Sequence, residues 1–465
     1  MKATVIFGLG GEGFSTYSYL RAQSTEEAFL FVDDKPLTAL SLEWQKIVSS
    51  DKLVQFLHSA EVTEVELRDC RIVKTPGIPP THPVALLAQE LQLEITSNTQ
   101  LFFEYLQKND PEIRTIGVTG TKGKSTTTAL IHHVLTSAGL PALLAGNIGK
   151  PALDLVPQVD EMVHSGQRPI VILELSSHQL MDLPYSPEIA VVLDITPEHL
   201  DYYASFAEYT AAKSAICRYQ SPEDLIIFNP TLQGARELAK LSPAKQLLFA
   251  DTAKSDSDTA LAAALDEDKV LSQGKTILSA TKLPLTGRHQ WLNALPSVII
   301  GVHLGLADEQ IAAALQSFRP LPHRLELVAT HNEVKYYNDS QATTPEAAIA
   351  ALRSFPKNSV VLIAGGSEKH VDLSAFSKEI MERGVLAVAL FPPTGEAIRE
   401  QIELYAGQLA KPKPDMQLVH SMPEAVQFAR RYAKPNTTVL LSPACASFGI
   451  FKNYQDRGEQ FRSEV

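Results

Sequence analysis

Lys124 and Ser125 close a glycine-rich run, Gly117-Val118-Thr119-Gly120-Thr121-Lys122-Gly123-Lys124-Ser125-Thr126-Thr127-Thr128. An ammonium group, a hydroxyl and a row of amides unobstructed by Cβ atoms are what a nucleoside triphosphate and its Mg²⁺ require. Apolar Ile116 and Val118 read as the end of a strand. Ala129, Leu130, Val134, Leu135 and Ala138 follow at helical spacing, and Gly139 stops them. A helix starting at Ser125 aims its positive end at the same anion. The spacing departs from the usual phosphate loop. Counting back from Gly123, the expected first glycine is Val118, and glycines fall at 117, 120 and 123 instead. The competing reading is a strand-to-helix turn without a ligand. The Lys-Ser-Thr-Thr-Thr tail favours the nucleotide, because it sets hydroxyls at a helix start despite modest helix propensity.

Further chemistry-bearing residues follow strand-like runs. Glu174 ends Ile170–Leu173, and an acid at a strand tip beside a phosphate loop is placed to hold Mg²⁺. His199 lies after Ala190–Leu193, in Asp194-Ile195-Thr196-Pro197-Glu198-His199. Lys213 falls on a helix, where a lysine is ordinarily solvated. Arg324, in His323-Arg324-Leu325-Glu326, offers a bidentate fork for a phosphate, against a plain surface ion pair. Asp339 ends a strand in Asn338-Asp339-Ser340-Gln341-Ala342-Thr343. A second glycine loop, Gly8-Leu9-Gly10-Gly11-Glu12-Gly13, follows strand Thr4–Phe7. After a helix from about Ser15 comes strand Phe29–Val32, then Asp33 and Asp34. Strand, Gly-x-Gly-x-x-Gly, helix, strand and acid form a dinucleotide signature, which raises an NAD-dependent oxidoreductase as an alternative. The phosphate loop at 120–125 argues against it.

The elements that must position these groups alternate strand and helix, the pattern of parallel α/β sheets. The second α/β unit begins at Thr115. A third alternation follows Pro320-Leu321-Pro322, with strands Val334–Tyr337, Val360–Ile363 and Val439–Leu441 and a helix from Pro345. Asp251–Lys269 is polar and acidic and reads as a surface excursion. The chain has 465 residues, enough for about three domains, and 45% hydrophobic residues, as in a globular protein. A net charge of −12 speaks against a nucleic-acid partner. No apolar run is long enough to span a bilayer, and the N-terminal residues lack a signal-peptide pattern, so the expected location is the cytoplasm. Cys70, Cys217 and Cys445 lie too far apart for a zinc motif or a disulfide framework.

Gly-Thr-Lys-Gly-Lys-Ser-Thr-Thr-Thr resembles the ATP loop of the Mur ligase family, which includes the folylpolyglutamate synthetases. Leu173-Glu174-Leu175-Ser176-Ser177-His178-Gln179-Leu180, the 194–201 run, Gly287-Arg288-His289-Gln290-Trp291-Leu292-Asn293 and His323-Arg324-Leu325-Glu326 resemble further family motifs. Ser442-Pro443-Ala444-Cys445-Ala446-Ser447-Phe448, with Tyr454 and Arg457-Gly458, resembles the branch that adds glutamate to UDP-N-acetylmuramoyl-L-alanine.

The resemblance implies an α/β protein of three domains in series. These are a Rossmann-like UDP-substrate domain over 1–109, a P-loop ATPase with a mainly parallel sheet over 110–320, and a Rossmann-like amino-acid domain over 321–465. It implies an ATP-dependent amide ligase with an acyl-phosphate intermediate; a sibling ligase with another acceptor is the alternative. It assigns ATP to Gly120, Thr121, Lys122, Gly123, Lys124, Ser125, Thr126, His289, Asn293, Arg324 and Asp339. Two Mg²⁺ fall to Ser125, Glu174, His199 and Lys213, the last as a carbamate made with CO₂. The catalytic set is Lys124, Glu174, His199, Lys213 and Arg324. The UDP-substrate falls to Gly8, Gly10, Gly11, Glu12, Gly13, Asp33, Asp34, Lys35, Asn147, Ser176 and Gln179, and glutamate to Thr343, Lys369, Ser447, Phe448 and Tyr454. The partners it implies are small molecules, with no membrane and a monomeric state. His178, Asp194, Gln290, Gln341 and Gly449 depart from the family's common residues; Gln341, standing where lysine is usual, is the largest loss of charge.

Overall fold

Runs such as Val5-Ile6-Phe7 and Ile226-Ile227 are apolar on both faces, so each must be covered from above and below. In the computed structural model these runs are completely buried, in sheets flanked by helices. The structure describes residues 3–110, 112–199, 202–255, 260–367, 372–409 and 412–465. Three sheets carry the described strands. The chain divides into two compact units. The first holds Met1–Ala280 and Asn293–Gln316, and the second holds Thr281–Leu292 and Ser317–Val465.

The first unit contains two sheets. In one, strands β1 (Thr4–Phe7), β2 (Phe29–Asp33), β3 (Val54–His58), β4 (Arg71–Lys74) and β5 (Ile95–Thr96) run parallel in the order β3-β2-β1-β4-β5. The order reverses between β1 and β4, so the loops after these strands flank a crevice, the usual ligand position in such sheets. The helix after β1 spans Gly11–Gln23, not from Ser15 as the sequence suggested. Glycines weaken the helical signal over that first turn, although Gly10 caps it.

The other sheet has nine strands: β6 (Thr115–Thr119), β7 (Ala142–Gly146), β8 (Ile170–Glu174), β9 (Ile189–Val192), β10 (Leu225–Phe228), β11 (Lys245–Asp251), β12 (Ala263–Asp266), β13 (Lys269–Ser272) and β14 (Lys275–Ser279). Their order is β14-β13-β12-β11-β10-β9-β6-β8-β7, parallel from β7 through β12 and antiparallel at the β12–β14 edge. The expected surface excursion over 251–269 is therefore corrected: β12 continues the sheet, with Ala263, Ala264 and Leu265 buried. Its tight turns use left-handed Glu267, Gln273 and Gly274, which hide a strand edge within a polar stretch. Residues 256–259 of that stretch lie outside the described residues.

The second unit carries β15 (Glu326–His331), β16 (Val334–Asn338), β17 (Val360–Gly365), β18 (Ala387–Phe391), β19 (Asp415–Leu418) and β20 (Thr438–Leu441), in the order β15-β16-β20-β17-β18-β19. Only β15 is antiparallel. Adjacent parallel β16 and β20 bring their carboxyl-end loops, 339–343 and 442–448, side by side.

Candidate active site

β6, β8 and β9 are neighbours, so the phosphate loop, Glu174 and the 194–199 segment leave one sheet edge together. Gly123 supplies the left-handed residue (φ +85°) that turns the loop into helix Lys124–Ser137. A Cβ there would lie 2.6 Å from the Asn293 side chain, and the Asn293 carbonyl accepts the Thr127 hydroxyl at 3.1 Å. Asn293 therefore stands against the loop. Gly117 has another role. It lies within β6, where a Cβ would come 2.6 Å from Pro187 and 2.9 Å from Ile216. It is a packing glycine, which explains the irregular glycine spacing.

Thr121 is anchored below the loop. Its amide donates to the Asp194 carbonyl at 2.6 Å and its hydroxyl to the Thr196 carbonyl at 2.9 Å. Lys122 pairs with Glu198 at 2.5 Å. Burial alone would raise Glu198, but Lys122, Lys124 and His199 outweigh it and hold that carboxyl below its usual range. Lys124 Nζ donates to the Gly120 and Thr121 carbonyls, both at 2.9 Å. Ser125 and Thr126 are buried in the first turn of the helix.

Lys213 is not a solvated helical lysine: its side chain is 1% exposed. Nζ donates to the Gly120 carbonyl at 2.9 Å and lies 4.8 Å from the Tyr209 ring centroid. Lys124 and Lys213 thus share one carbonyl. Burial first, and then Lys124, push Lys213 well below the ordinary lysine range, which eases loss of its proton. Glu174 and Glu198 pull the other way. Glu174 is 1% exposed. Its Oε1 accepts Asn147 Nδ2 at 2.8 Å, while its Oε2 is buried without a hydrogen-bond partner. Such an oxygen suits a cation. Among the described residues, no three His, Cys, Asp or Glu side chains form a metal cluster. Mg²⁺ commonly takes only one or two carboxylates with phosphate oxygens and waters, so this donor set fits it. His199 is exposed and left-handed (φ +57°), with its ring 4.8 Å from that of His178. A non-glycine residue held there is uncommon and often functional.

At the β1/β4 crevice, Gly8 (φ +96°) permits close approach of the neighbouring loop, since a Cβ would overlap Thr75 Oγ1. At Gly13 a Cβ would strike the Gly8 carbonyl. Beside Gly10 and Gly11 the space is open, leaving room for a ligand at the helix N-terminus. Asp33 accepts the Leu9 amide at 2.7 Å and the Lys35 amide at 2.9 Å, fixing the loop. Asp34 accepts from Ser59 and lies 3.0 Å from His82 Nε2; the Ser59 bond first, with help from His82, holds it below its usual range. Glu12 Oε1 accepts the Gln179 side-chain amide at 2.7 Å. Ser176 and Gln179 cap the short helix Ser177–Leu180 reciprocally. Tyr202 reaches back to the Ile78 carbonyl at 2.9 Å.

In the second unit, Asp339 is buried, accepting the Ser442 hydroxyl at 2.7 Å and the Leu325 amide at 3.1 Å. Burial raises it to about 7, against the pull of Ser442, Leu325, Arg324 and Arg457. His289 opens helix Arg288–His303, and burial lowers its ring below the usual range. Ser447 is buried, Phe448 is 63% exposed, and the Tyr454 carbonyl accepts the Ser340 hydroxyl at 2.8 Å. Thr343 follows the turn of the 339–343 loop, donating its amide to the Gln341 carbonyl at 2.8 Å. Lys369 lies outside the described residues.

Two residues carry structural weight that the sequence reading gave them no role for. Tyr209 lies under Lys213, with its hydroxyl 3.0 Å from Thr121 Oγ1. Its i, i+4 spacing to Lys213 was the available signal. Arg457 is completely buried and donates to Ser340 Oγ, the Ser340 carbonyl and the Cys445 and Ala446 carbonyls. It ties the loop after β16 to the loop after β20. Burial lowers it to about 10, where it remains a cation at neutral pH. An arginine inside an otherwise polar terminal helix gives no periodic signal of burial.

Residues 118–301 match the Mur ligase middle domain, and 323–445 match the Mur ligase glutamate ligase domain. The UDP-N-acetylmuramoylalanine--D-glutamate ligase of Cytophaga hutchinsonii is 34% identical, covering 99% of this chain and 98% of its own. The enzyme of the same name from Aquifex aeolicus is 32% identical over 85% of this chain and 87% of its own. Among solved structures, the UDP-N-acetylmuramate-alanine ligase of Thermotoga maritima shares the fold at a TM-score of 0.59 and 19% identity, covering 99% of this chain and 98% of that one. The MurF ligase of the same organism, solved with ADP, shares it at 0.58 and 15%, covering 100% and 95%. With full-length relatives above 30% identity and both family domains matched in order, the chain belongs to the Mur ligase family.

Proposed function

We propose that the protein is an ATP-dependent ligase that joins D-glutamate to UDP-N-acetylmuramoyl-L-alanine, a step in building the peptidoglycan precursor. One observation supports this reading most directly: Lys124, Glu174 and a buried, neutral-leaning Lys213 meet at one sheet edge beside a phosphate loop. A regulator that only bound nucleotide would need no such amine. An oxidoreductase would need no such loop. The domains are assigned as UDP-substrate (1–109), ATP (110–320) and amino acid (321–465), in a monomer working in the cytoplasm.

The chemistry follows from charge and position. The terminal phosphoryl group of ATP passes to the alanyl carboxylate, breaking the bond to ADP and forming an acyl phosphate. The glutamate amine attacks that carbonyl, the amide forms, and inorganic phosphate leaves with loss of one amine proton. Lys124 offsets charge on the terminal phosphates. Ser125, Glu174 and His199 would hold Mg²⁺, which when bound neutralises phosphate oxygens. Lys213, as a neutral amine, attacks CO₂ and loses a proton. The carbamate so formed would give the site an anionic oxygen donor able to hold a second Mg²⁺. Gly10, Gly11 and the turn at Asp33–Lys35 receive the UDP portion. Ser447, Phe448, Thr343, Tyr454 and Lys369 are assigned to glutamate, and Arg324, Asp339 and His289 to the nucleotide, on the strength of the family resemblance.

The test is phosphate release with ATP, Mg²⁺ and UDP-N-acetylmuramoyl-L-alanine while the amino acid is varied. Release that depends on D-glutamate, and falls by at least about 10³-fold in Lys124→Ala, is expected. Release with another acceptor only, or undiminished turnover by that variant, contradicts the reading.

A further inference from the structure

We propose that Glu12 is a positioning residue for the UDP-linked substrate: through Gln179 its carboxyl fastens the glycine loop to the segment after Glu174, and it takes up a proton when the substrate's diphosphate arrives. The inference rests on the assignment of residues 8–13 to that substrate.

Glu12 lies in the first turn of helix Gly11–Gln23, next to the open space beside Gly10 and Gly11. Its Oε1 accepts Gln179 Nε2 at 2.7 Å. Gln179 in turn accepts the Ser176 amide and hydroxyl, both at 3.0 Å, and Ser176 lies two residues beyond Glu174. The other carboxyl oxygen, Oε2, is buried with no hydrogen-bond partner. A carboxylate with one oxygen stranded out of water is poorly stabilised as an anion. A diphosphate held by the same loop adds like charge beside it, and a proton removes that conflict.

Among the described residues, no ammonium or guanidinium group pairs with the carboxyl. Asn98, from helix Asn98–Asn109, is neutral and donates to the Glu12 backbone carbonyl at 3.4 Å. Asp154, on the 152–155 turn packed against this helix, is exposed to solvent. Around the rest of the loop stand Asp33 on the Leu9 amide, Asp34 with His82 and His58, and Lys74 on the Ile78 carbonyl. Burial raises Glu12 to about 7, and the Gln179 amide alone pulls it back. The free protein therefore carries Glu12 part-protonated near neutrality. Binding a dianion shifts it further toward the protonated form. Below that window the proton is already present and the substrate meets no repulsion. As pH rises through it, affinity falls, by up to tenfold for each unit by which bound and free values differ.

The experiment is calorimetric titration of the full-length protein with UDP-N-acetylmuramoyl-L-alanine at about pH 7.5, in buffers of different ionisation enthalpy. Net proton uptake is expected in the native protein and is expected to be smaller in Glu12→Gln by the Glu12 share. In steady state, the native KM for this substrate should rise by up to about tenfold between roughly pH 6.5 and 9, while the Glu12→Gln profile is flat over that range. Glu12→Ala, which also removes the acceptor for Gln179, should raise KM at every pH. Equal proton uptake in native and Glu12→Gln proteins, or superimposable KM profiles, overturns the inference. Failure of the native protein to bind the UDP-linked compound at all would instead overturn the assignment of the loop.

Discussion

At the scale of single residues, the account turns on Lys213. A helical lysine is expected in water, and nothing in its spacing says otherwise. The fold buries it over the Tyr209 ring and against the carbonyl that Lys124 also uses. That crowding favours loss of its proton, the state that the proposed carbamate requires. Lys213→Ala is therefore expected to lower kcat by about 10²-fold or more. The native protein, stripped of CO₂, should regain activity on adding bicarbonate, and the variant should not. Equal rates with and without CO₂ in both proteins would discard the carbamate. Lys124, Ser125, Glu174 and His199 were legible because each ends a strand or a loop whose partner motif lies nearby in sequence. Tyr209 and Arg457 were not, because their roles depend on long-range burial. Lys213 stood between: the family resemblance singled it out, while its own spacing did not.

At the scale of elements, the glycines separate into two kinds. Gly117 is packed inside β6, whereas Gly123 turns the chain left-handed at the loop's end. Both look alike in a glycine-rich run, since spacing alone cannot distinguish a missing Cβ needed for packing from one needed for φ. Gly117→Ala should cost about 1–3 kcal/mol of stability by overpacking against Pro187 and Ile216, with nucleotide affinity retained in the folded fraction. Gly123→Ala should weaken nucleotide binding, through strain of about 1 kcal/mol and crowding of Asn293. Denaturant midpoints and nucleotide titrations on both variants would check this; affinity lost in Gly117→Ala and kept in Gly123→Ala would contradict it. Strands β1, β2, β8 and β20 were legible within a residue because each is built on a continuous apolar run. The β12–β14 edge was missed because it is short, half-polar and closed by tight turns. The start of helix Gly11–Gln23 was missed because glycines mask it.

At the scale of the molecule, three α/β sheets put their glycine loops and acids at carboxyl edges, which follows from parallel strand order rather than from any one motif. That much was readable from alternating strand and helix signals. How the sheets group was not: the first two share one compact unit, and residues 281–292 belong with the C-terminal sheet. Such grouping depends on packing between elements distant in sequence. The central claim is that a phosphoryl group is handed to a carboxylate before the amide forms. It is tested most directly with UDP-N-acetylmuramoyl-L-alanine carrying oxygen-18 in the alanyl carboxylate. After complete turnover with ATP and D-glutamate, one labelled oxygen is expected in the inorganic phosphate and one in the amide product. Phosphate free of the label, with amide formed, would contradict the account.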